Sequence, residues 1–298
     1  MTLLSGCFLK MVGSEPENNF SDGYSYIKDN KNGATVYFLD VGQADCTFIK
    51  TPKLTALIDA GNVSDGKNIV EFLQSLGIQK IDYLINTHPH EDHLGGMSAV
   101  IKNFNIGKIY MPKISRADMP TTGVYNELLN TIEQKNCDVY TAKSGVTAFE
   151  SDNTSIKILS PYGTNYGNLN NYSAVTKFTY YNTGILIMGD AERVIEKELI
   201  EKSADIKADI VRVGHHGSSN SNSRGFLKET KCRDAVISCG INNNYHHPSK
   251  STLETLDRLK LGVHRTDTSG TVIASVSKDG YAIETNSDIC LDGGARYE

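Results

Sequence analysis

Thr87-His88-Pro89-His90-Glu91-Asp92-His93 places four donors of the kind that bind metals within six residues, and its reading decides the fold. Imidazole and carboxylate are the ligands that zinc and other divalent first-row metals take. The stretch follows Ile81 to Asn86, which reads as a buried strand, and precedes Leu94 to Phe104, which reads as a helix. Where the chain turns from strand to helix, alternate residues face one point and the next pair faces another. His88 and His90 are thus placed for one metal, and Asp92 and His93 for a neighbour. Two metals about 3.5–4 Å apart clamp an attacked phosphoryl or carbonyl group from both sides. Pro89 stiffens the loop through its fixed φ, and Gly95-Gly96 lets backbone pass close by. A chance cluster on a surface loop is the plain alternative, and the preceding strand weighs against it.

Three more apolar runs end in polar groups of the same kind. Leu57-Ile58-Asp59-Ala60-Gly61 ends in an acid, which either fixes the tautomer of a ligand histidine or simply turns the chain. Ile185-Leu186-Ile187-Met188-Gly189-Asp190 also ends in an acid. Asp190 either bridges two metals or caps the helix that follows. Ile210-Val211-Arg212-Val213 runs into Gly214-His215-His216-Gly217-Ser218, where at least one histidine of the pair reads as a ligand.

Outward from these stretches, short β-rich runs alternate with amphipathic ones. Strands are expected over Thr35 to Asp40, Cys46 to Lys50, Leu54 to Asp59 and Ile106 to Met111, with helices over Ile69 to Leu76 and Tyr125 to Gln134. Further strands are expected near 138–142, 145–150 and 155–160. Ala174 to Tyr181 and Gly184 to Met188 form a hairpin turning at Asn182-Thr183-Gly184. Then come a helix over Glu192 to Lys202, a strand at Ile210 to Val213, a helix around 223–230 and a strand at 234–239. Ser249 to Leu259 reads as a helix capped by Ser251 or Ser249, and a terminal hairpin joins Val272 to Val276 with Tyr281 to Glu284. The mixture implies an α/β sandwich with buried sheets.

The 298 residues are 39% hydrophobic and 22% charged, which suits one large domain or two small ones. The net charge of −5 lacks the basic surplus usual in proteins that grip DNA through its phosphates. No apolar run approaches the ~20 residues that span a bilayer. Six cysteines stand at 7, 46, 137, 232, 239 and 290, without a Cys-x-x-Cys, so they read as buried or free thiols, with Cys46 in the core.

Residues 1–33 read as a tether or the remnant of an export signal, and 34–298 as the hydrolase domain. Leu4-Ser5-Gly6-Cys7 looks like a lipobox, with Cys7 as the site of a lipid anchor. An export signal needs a basic start and ~7–15 apolar residues before cleavage. Only six residues, none basic, stand before Cys7. The protein is expected to be an exported lipoprotein if the lipobox is genuine and cytoplasmic otherwise.

Taken in order, these stretches resemble the metallo-β-lactamase superfamily, and within it the hydrolase domain at the C-terminus of ComEC competence proteins. The segments that carry the resemblance are Phe38-Leu39-Asp40-Val41-Gly42-Gln43-Ala44-Asp45, Leu57 to Gly61, 87–96, Asn170-Asn171-Tyr172-Ser173-Ala174-Val175, Met188 to Glu192, Val213 to Ser218, His247-Pro248-Ser249 and Arg265 to Thr271. The resemblance implies a four-layer αββα sandwich with the metals at one sheet edge. It implies ligands at His88, His90, Asp92 and His93, a bridging Asp190, and His216 from the paired histidines, with His215 facing substrate. His247 is expected near the leaving group, and Asn171 and Ser173 along the cleft, with Asp59 and Ser218 supporting the site.

Two departures stand out. Many superfamily members carry a further metal-binding histidine between the first motif and the Gly-Asp strand, and this chain has none between 93 and 215. The first metal is therefore expected to be open or weakly held, with Mn competing with Zn. His246 also stands where the family usually has glycine.

The function expected is a binuclear metal-dependent hydrolase, a phosphodiesterase or nuclease with two divalent ions and a metal-bound hydroxide as nucleophile. Asp92 belongs to the reacting centre, and His215 or His247 is expected to serve the leaving group. The alternatives are a hydrolase of small or wall-linked esters, such as phosphorylcholine esters, lactones or β-lactams, and a non-catalytic metal-binding module.

Overall fold

Val36 and Phe38 face one apolar layer while Tyr37 between them faces another, so the first strand is buried on both sides. That double burial recurs across two sheets in the computed structural model, which describes residues 33–293. The expected tether and the lipobox cysteine, Cys7, lie outside the described residues. In chain order the strands are β1 (Ala34–Phe38), β2 (Thr47–Lys50), β3 (Thr55–Ile58), β4 (Lys80–Ile85), β5 (Asn105–Pro112), β6 (Val139–Ala142), β7 (Val146–Ser151), β8 (Thr154–Ile158), β9 (Thr176–Tyr180), β10 (Thr183–Ile187), β11 (Ile210–Arg212), β12 (Asp234–Ile237), β13 (Gly262–Arg265), β14 (Thr271–Ser277) and β15 (Gly280–Asn286). The helices are α1 (Gly66–Ser75), α2 (Glu91–Leu94), α3 (Met97–Asn103), α4 (Gly123–Gln134), α5 (Arg193–Glu201), α6 (Arg224–Thr230), α7 (Lys250–Arg258) and α8 (Thr266–Ser269).

One sheet has the order β15-β14-β1-β2-β3-β4-β5-β6 and the other β13-β12-β11-β10-β9-β8-β7. Each changes from antiparallel to parallel pairing part-way, at β3–β4 in the first and β10–β11 in the second. Parallel neighbours need a crossover, and here helices supply it: α1, α2–α3 and α4 in the first sheet, and α5, α6 and α7 in the second. Three apolar layers result. Phe38, Ile58, Ile85, Phe178, Ile187 and Val236 fill the space between the sheets. Tyr37, Leu57, Phe72, Leu84, Val100 and Leu128 lie under the first set of helices, and Leu186, Ile195, Val211, Phe226 and Leu256 under the second. This is a four-layer αββα sandwich.

Crossover topology also places the polar strand ends. Asp59 follows β3, the histidine motif follows β4, Asp190 follows β10, and the paired histidines follow β11. All are carboxyl ends of parallel strands, where ligand sites of open α/β sheets collect.

The helix expected over Leu94 to Phe104 is interrupted at Gly95-Gly96 and splits into α2 and α3. The interruption has a steric cause. A Cβ on Gly95 would strike the backbone of Asn62 and Val63, and one on Gly96 would strike the carbonyl of Ala60. Glycine lets the metal-motif helix lie against the Asp59 loop, and the Gly96 amide donates to Ala60 O at 3.1 Å. In the β9–β10 hairpin Thr183 already pairs with Tyr180, so the turn is Tyr181-Asn182. Ser249, rather than Ser251, caps α7 by accepting from the Thr252 amide. The edge strand β13 was not expected, because its four residues show no alternating burial.

Candidate metal centre

Asp59 organises the first half of the site. It is almost fully buried, and its carboxylate accepts from the Thr87 amide at 2.8 Å and the Thr87 hydroxyl at 2.6 Å. The same carboxylate lies 2.8 Å from His93 Nδ1. It therefore fixes the backbone of the motif and turns the Nε2 of His93 inward. His88 is held similarly, with Nδ1 3.1 Å from the Thr87 hydroxyl, which itself donates to Asp59. His216 donates from Nδ1 to the Ser238 carbonyl at 2.9 Å. Each of these three rings spends Nδ1 on an oxygen and turns Nε2 inward, the orientation in which histidine binds metal once Nε2 gives up its proton.

These donors converge on Asp190 in two groups. In one, His88, His90 and Asp190 come together, with His88 Nε2 2.9 Å from His90 Nδ1 and 3.8 Å from Asp190 Oδ2. The other gathers Asp92, His93, Asp190 and His216. His93 Nε2 lies 3.2 Å and His216 Nε2 3.7 Å from Asp190 Oδ1, and His216 Nε2 lies 3.2 Å from Asp92 Oδ2. Asp190 Oδ1 and His93 Nε2 are both buried and lack a hydrogen-bond partner. Leaving two such atoms unpaired side by side is costly unless a cation joins them. The donors present therefore fit a binuclear divalent metal site in which Asp190 is common to both groups.

Charge follows the same layout. Burial opposes ionisation of Asp190, but His93 and His216 outweigh it and hold its carboxyl well below the usual range. Burial likewise opposes a charge on His93, which Asp190, Asp92 and Asp59 override. Burial keeps His88 and His90 neutral by lowering their pKa. Above the donors opens a cavity of about 300 Å³, lined by Gln43, His90, Glu91, Asp92, Asn170, Asp190, His215, His216, Tyr245 and His247.

The family described as the metallo-beta-lactamase superfamily matches residues 39–241. The chain belongs to that superfamily. Among curated proteins it is 29% identical over 255 residues to ComE operon protein 3 of Bacillus subtilis (strain 168), a match covering 80% of this chain and 32% of that protein. It is 30% identical over 251 residues to Recombination protein 2 of Haemophilus influenzae, covering 83% of this chain and 29% of the other. The chain thus spans about a third of the length of these relatives. Its fold is similar to that of the metallo-beta-lactamase fold protein YhfI from Bacillus subtilis, with a TM-score of 0.55 at 11% identity, covering 81% of this chain and 100% of that one.

Within this metallo-β-lactamase frame the expected site residues fall into place unevenly. His88, His90, Asp92, His93, Asp190 and His216 come together as described. Asp190 is not a helix cap, since the cap of α5 is Glu192. His215 and His247 line the cavity. Asn171 and Ser173, expected along the cleft, are buried and are not among its lining residues. The short helical turn at Leu169–Tyr172 buries both Asn170 and Asn171, and of the two Asn170 lines the cavity. The Ser173 hydroxyl instead accepts from the Asp190 amide at 3.0 Å, and so positions that acid. Ser218 is turned into its own loop, where its hydroxyl accepts from the Asn220 amide at 3.3 Å. His215 and His216 diverge because both adopt left-handed backbone, φ 54° and 51°, and not through strand alternation, since β11 has already ended at Arg212.

Sequence reasoning missed the pair Asp45 and Arg212. Arg212 is fully buried and ion-paired with Asp45. It donates to the Gly189 carbonyl at 2.7 Å and lies 3.3 Å from His216 Nδ1. One guanidinium thereby ties the Asp190 turn to the loop that carries Asp45. Its signal was a charged residue inside the apolar run Ile210 to Val213. Removing one partner of a buried ion pair leaves the other charge uncompensated. Arg212→Met is expected to cost about 3–5 kcal/mol of folding stability, read by denaturant unfolding. A loss under about 1 kcal/mol would mean that Asp45 is not held by this arginine.

Proposed function

We propose that this chain is a phosphodiesterase that acts on nucleic acid or its fragments, using two divalent metal ions with Zn or Mn as candidates. The observation that carries the reading is the sharing of Asp190 by two donor groups at the floor of an open cavity. Paired divalent sites of this kind serve in-line displacement at phosphorus. The names of the relatives, a competence operon protein and a recombination protein, favour a nucleic-acid substrate.

When bound, the ions would supply Lewis acidity toward a phosphoryl oxygen and make water a stronger acid. The chain's own groups do the rest. His88, His90 and Asp190 would hold one ion, and Asp92, His93, His216 and Asp190 the other. Asp59 keeps His93 in the tautomer that presents Nε2. His215 stands over the cavity with Nδ1 3.6 Å from Glu192 and Nε2 3.7 Å from Asp190, placed to pass a proton to the leaving oxygen. Burial and the neighbouring His215 and His216 push His247 down to about 4. A ring neutral at pH 7 holds a phosphate oxygen through N–H and does not deliver a full charge.

Hydrolysis of bis-nitrophenyl phosphate is expected to vanish on treatment with a chelator and return when Mn or Zn is added. No turnover with Zn, Mn, Co or Mg would sink the phosphodiesterase reading and put a non-catalytic binding module in its place.

A further inference from the structure

Tyr245 is 69% exposed, yet it stands at the rim of the metal cavity with its ring stacked on His247. The two ring centres lie 5.8 Å apart with planes 23° apart. His247 is in turn nearly parallel to His216, at 6.4 Å and 22°. Tyr245, His247 and His216 therefore form a ladder of roughly parallel rings that climbs from a metal donor to the protein surface. An exposed tyrosine gains little from burial, so nothing in the core explains its position. Its outer face offers the next rung.

The surroundings say what that rung would carry. A second cavity of about 340 Å³ adjoins the first through His247 and is lined by Asn242, Asn243, His246, Arg265 and Asp267 among others. Its arginine is already taken, since Arg265 Nε and Nη2 donate to Asp267 at 2.9 and 2.6 Å. The metal cavity gathers Asp92, Asp190 and Glu91, the charge that attracts cations and, through them, a phosphate. The neighbouring cavity offers the Asn242 amide, the His246 ring and a neutralised ion pair instead, while the Asn243 amide is spent on the Gly240 and His247 backbone. A ligand matching both has a phosphate at the metal centre and, next to it, a flat, uncharged group rich in hydrogen-bonding edges. A nucleobase has that chemistry, and aromatic side chains bind bases by stacking.

We propose that Tyr245 is the stacking platform of a nucleoside subsite, with the cavity beside Arg265 and Asp267 receiving the edge of the base. The platform gives the protein a preference for nucleoside phosphates over alkyl phosphates. This rests on the reading of the adjacent cavity as a phosphate site, and the test below separates the two.

Titration calorimetry on the metal-loaded full chain would compare thymidine 5′-monophosphate with methyl phosphate. The wild type is expected to prefer the nucleotide by about tenfold or more, which is the order that stacking one base contributes. Tyr245→Ala should reduce the preference to within about twofold, and Tyr245→Phe, which keeps the ring, should retain it. Tyr245 is exposed, so neither change removes core packing, and a thermal melt checks that both variants are folded. Equal affinity of the wild type for the two phosphates, failure of the nucleotide to bind, or a preference that survives Tyr245→Ala would overturn the subsite. Because binding needs no turnover, a nucleotide preference lost in Tyr245→Ala supports the platform even if no diester is cleaved. Conversely, diester cleavage without that preference would leave the phosphodiesterase standing and remove the platform.

Discussion

Asp190→Ala is expected to lower the metal content below two ions per chain and to slow phosphodiester hydrolysis by at least about 10³-fold, equivalent to about 4 kcal/mol of lost transition-state stabilisation. Among the described residues no other side chain belongs to both of these donor groups. Its Oδ1 faces His93 and His216, and its Oδ2 faces His88 and His215, all between 3.2 and 3.8 Å. Loss of the carboxylate removes a donor from each group at once and leaves buried imidazoles without their common counter-charge. Asp190→Asn keeps the shape and one acceptor oxygen but loses the charge, so its loss of metal should fall between those of wild type and alanine. Elemental analysis and the chromogenic diester assay read the two effects separately. An Asp190→Ala protein that still holds two ions would show that Asp190 does not join them.

Much of this centre was legible because its donors are close together in sequence. His88, His90, Asp92 and His93 come from one turn, and only the strand before them had to be recognised. Asp190 and the 215–216 pair were legible as polar residues at the ends of apolar strands, a pattern that crossover topology produces. Residues that act across large sequence distances were not legible. Asp45 meets Arg212 only because the end of β11 and the turn between β1 and β2, which belong to different sheets, come together across the sandwich. Asn170 rather than Asn171 reaches the cavity because the short turn there is helical, a one-residue difference that periodicity does not resolve. Tyr245 sits in a loop without regular structure, and its stacking on His247 depends on the left-handed backbone at His246. The mixture of strands and helices implied a sandwich with buried sheets, whereas its four layers were expected only from the family resemblance; in the structure Val36 and Phe38 part from Tyr37 between two cores, as a strand's period of two requires.

The paired histidines are expected to separate cleanly in function, because the structure gives them different partners. His216 is buried, its Nδ1 is spent on the Ser238 carbonyl, and its Nε2 lies among Asp92 and Asp190. His216→Ala should therefore lose metal from the group that contains Asp92 and His93, with activity falling alongside. His215 has a side chain 21% exposed to the cavity and leans on Glu192 and Asn170. His215→Ala should keep its metal and turn over roughly 10²–10⁴-fold more slowly, the range for a general acid. Leaving-group strength sorts the roles further. Nitrophenolate departs with little protonation, so the His215→Ala defect should shrink on a nitrophenyl diester and be full on an alkyl one. A defect of equal size on both would argue that His215 holds the phosphate and donates no proton. If His215→Ala strips the metal and His216→Ala does not, the two assignments are reversed. Full metal and full rate in both variants would place neither histidine at the reacting centre.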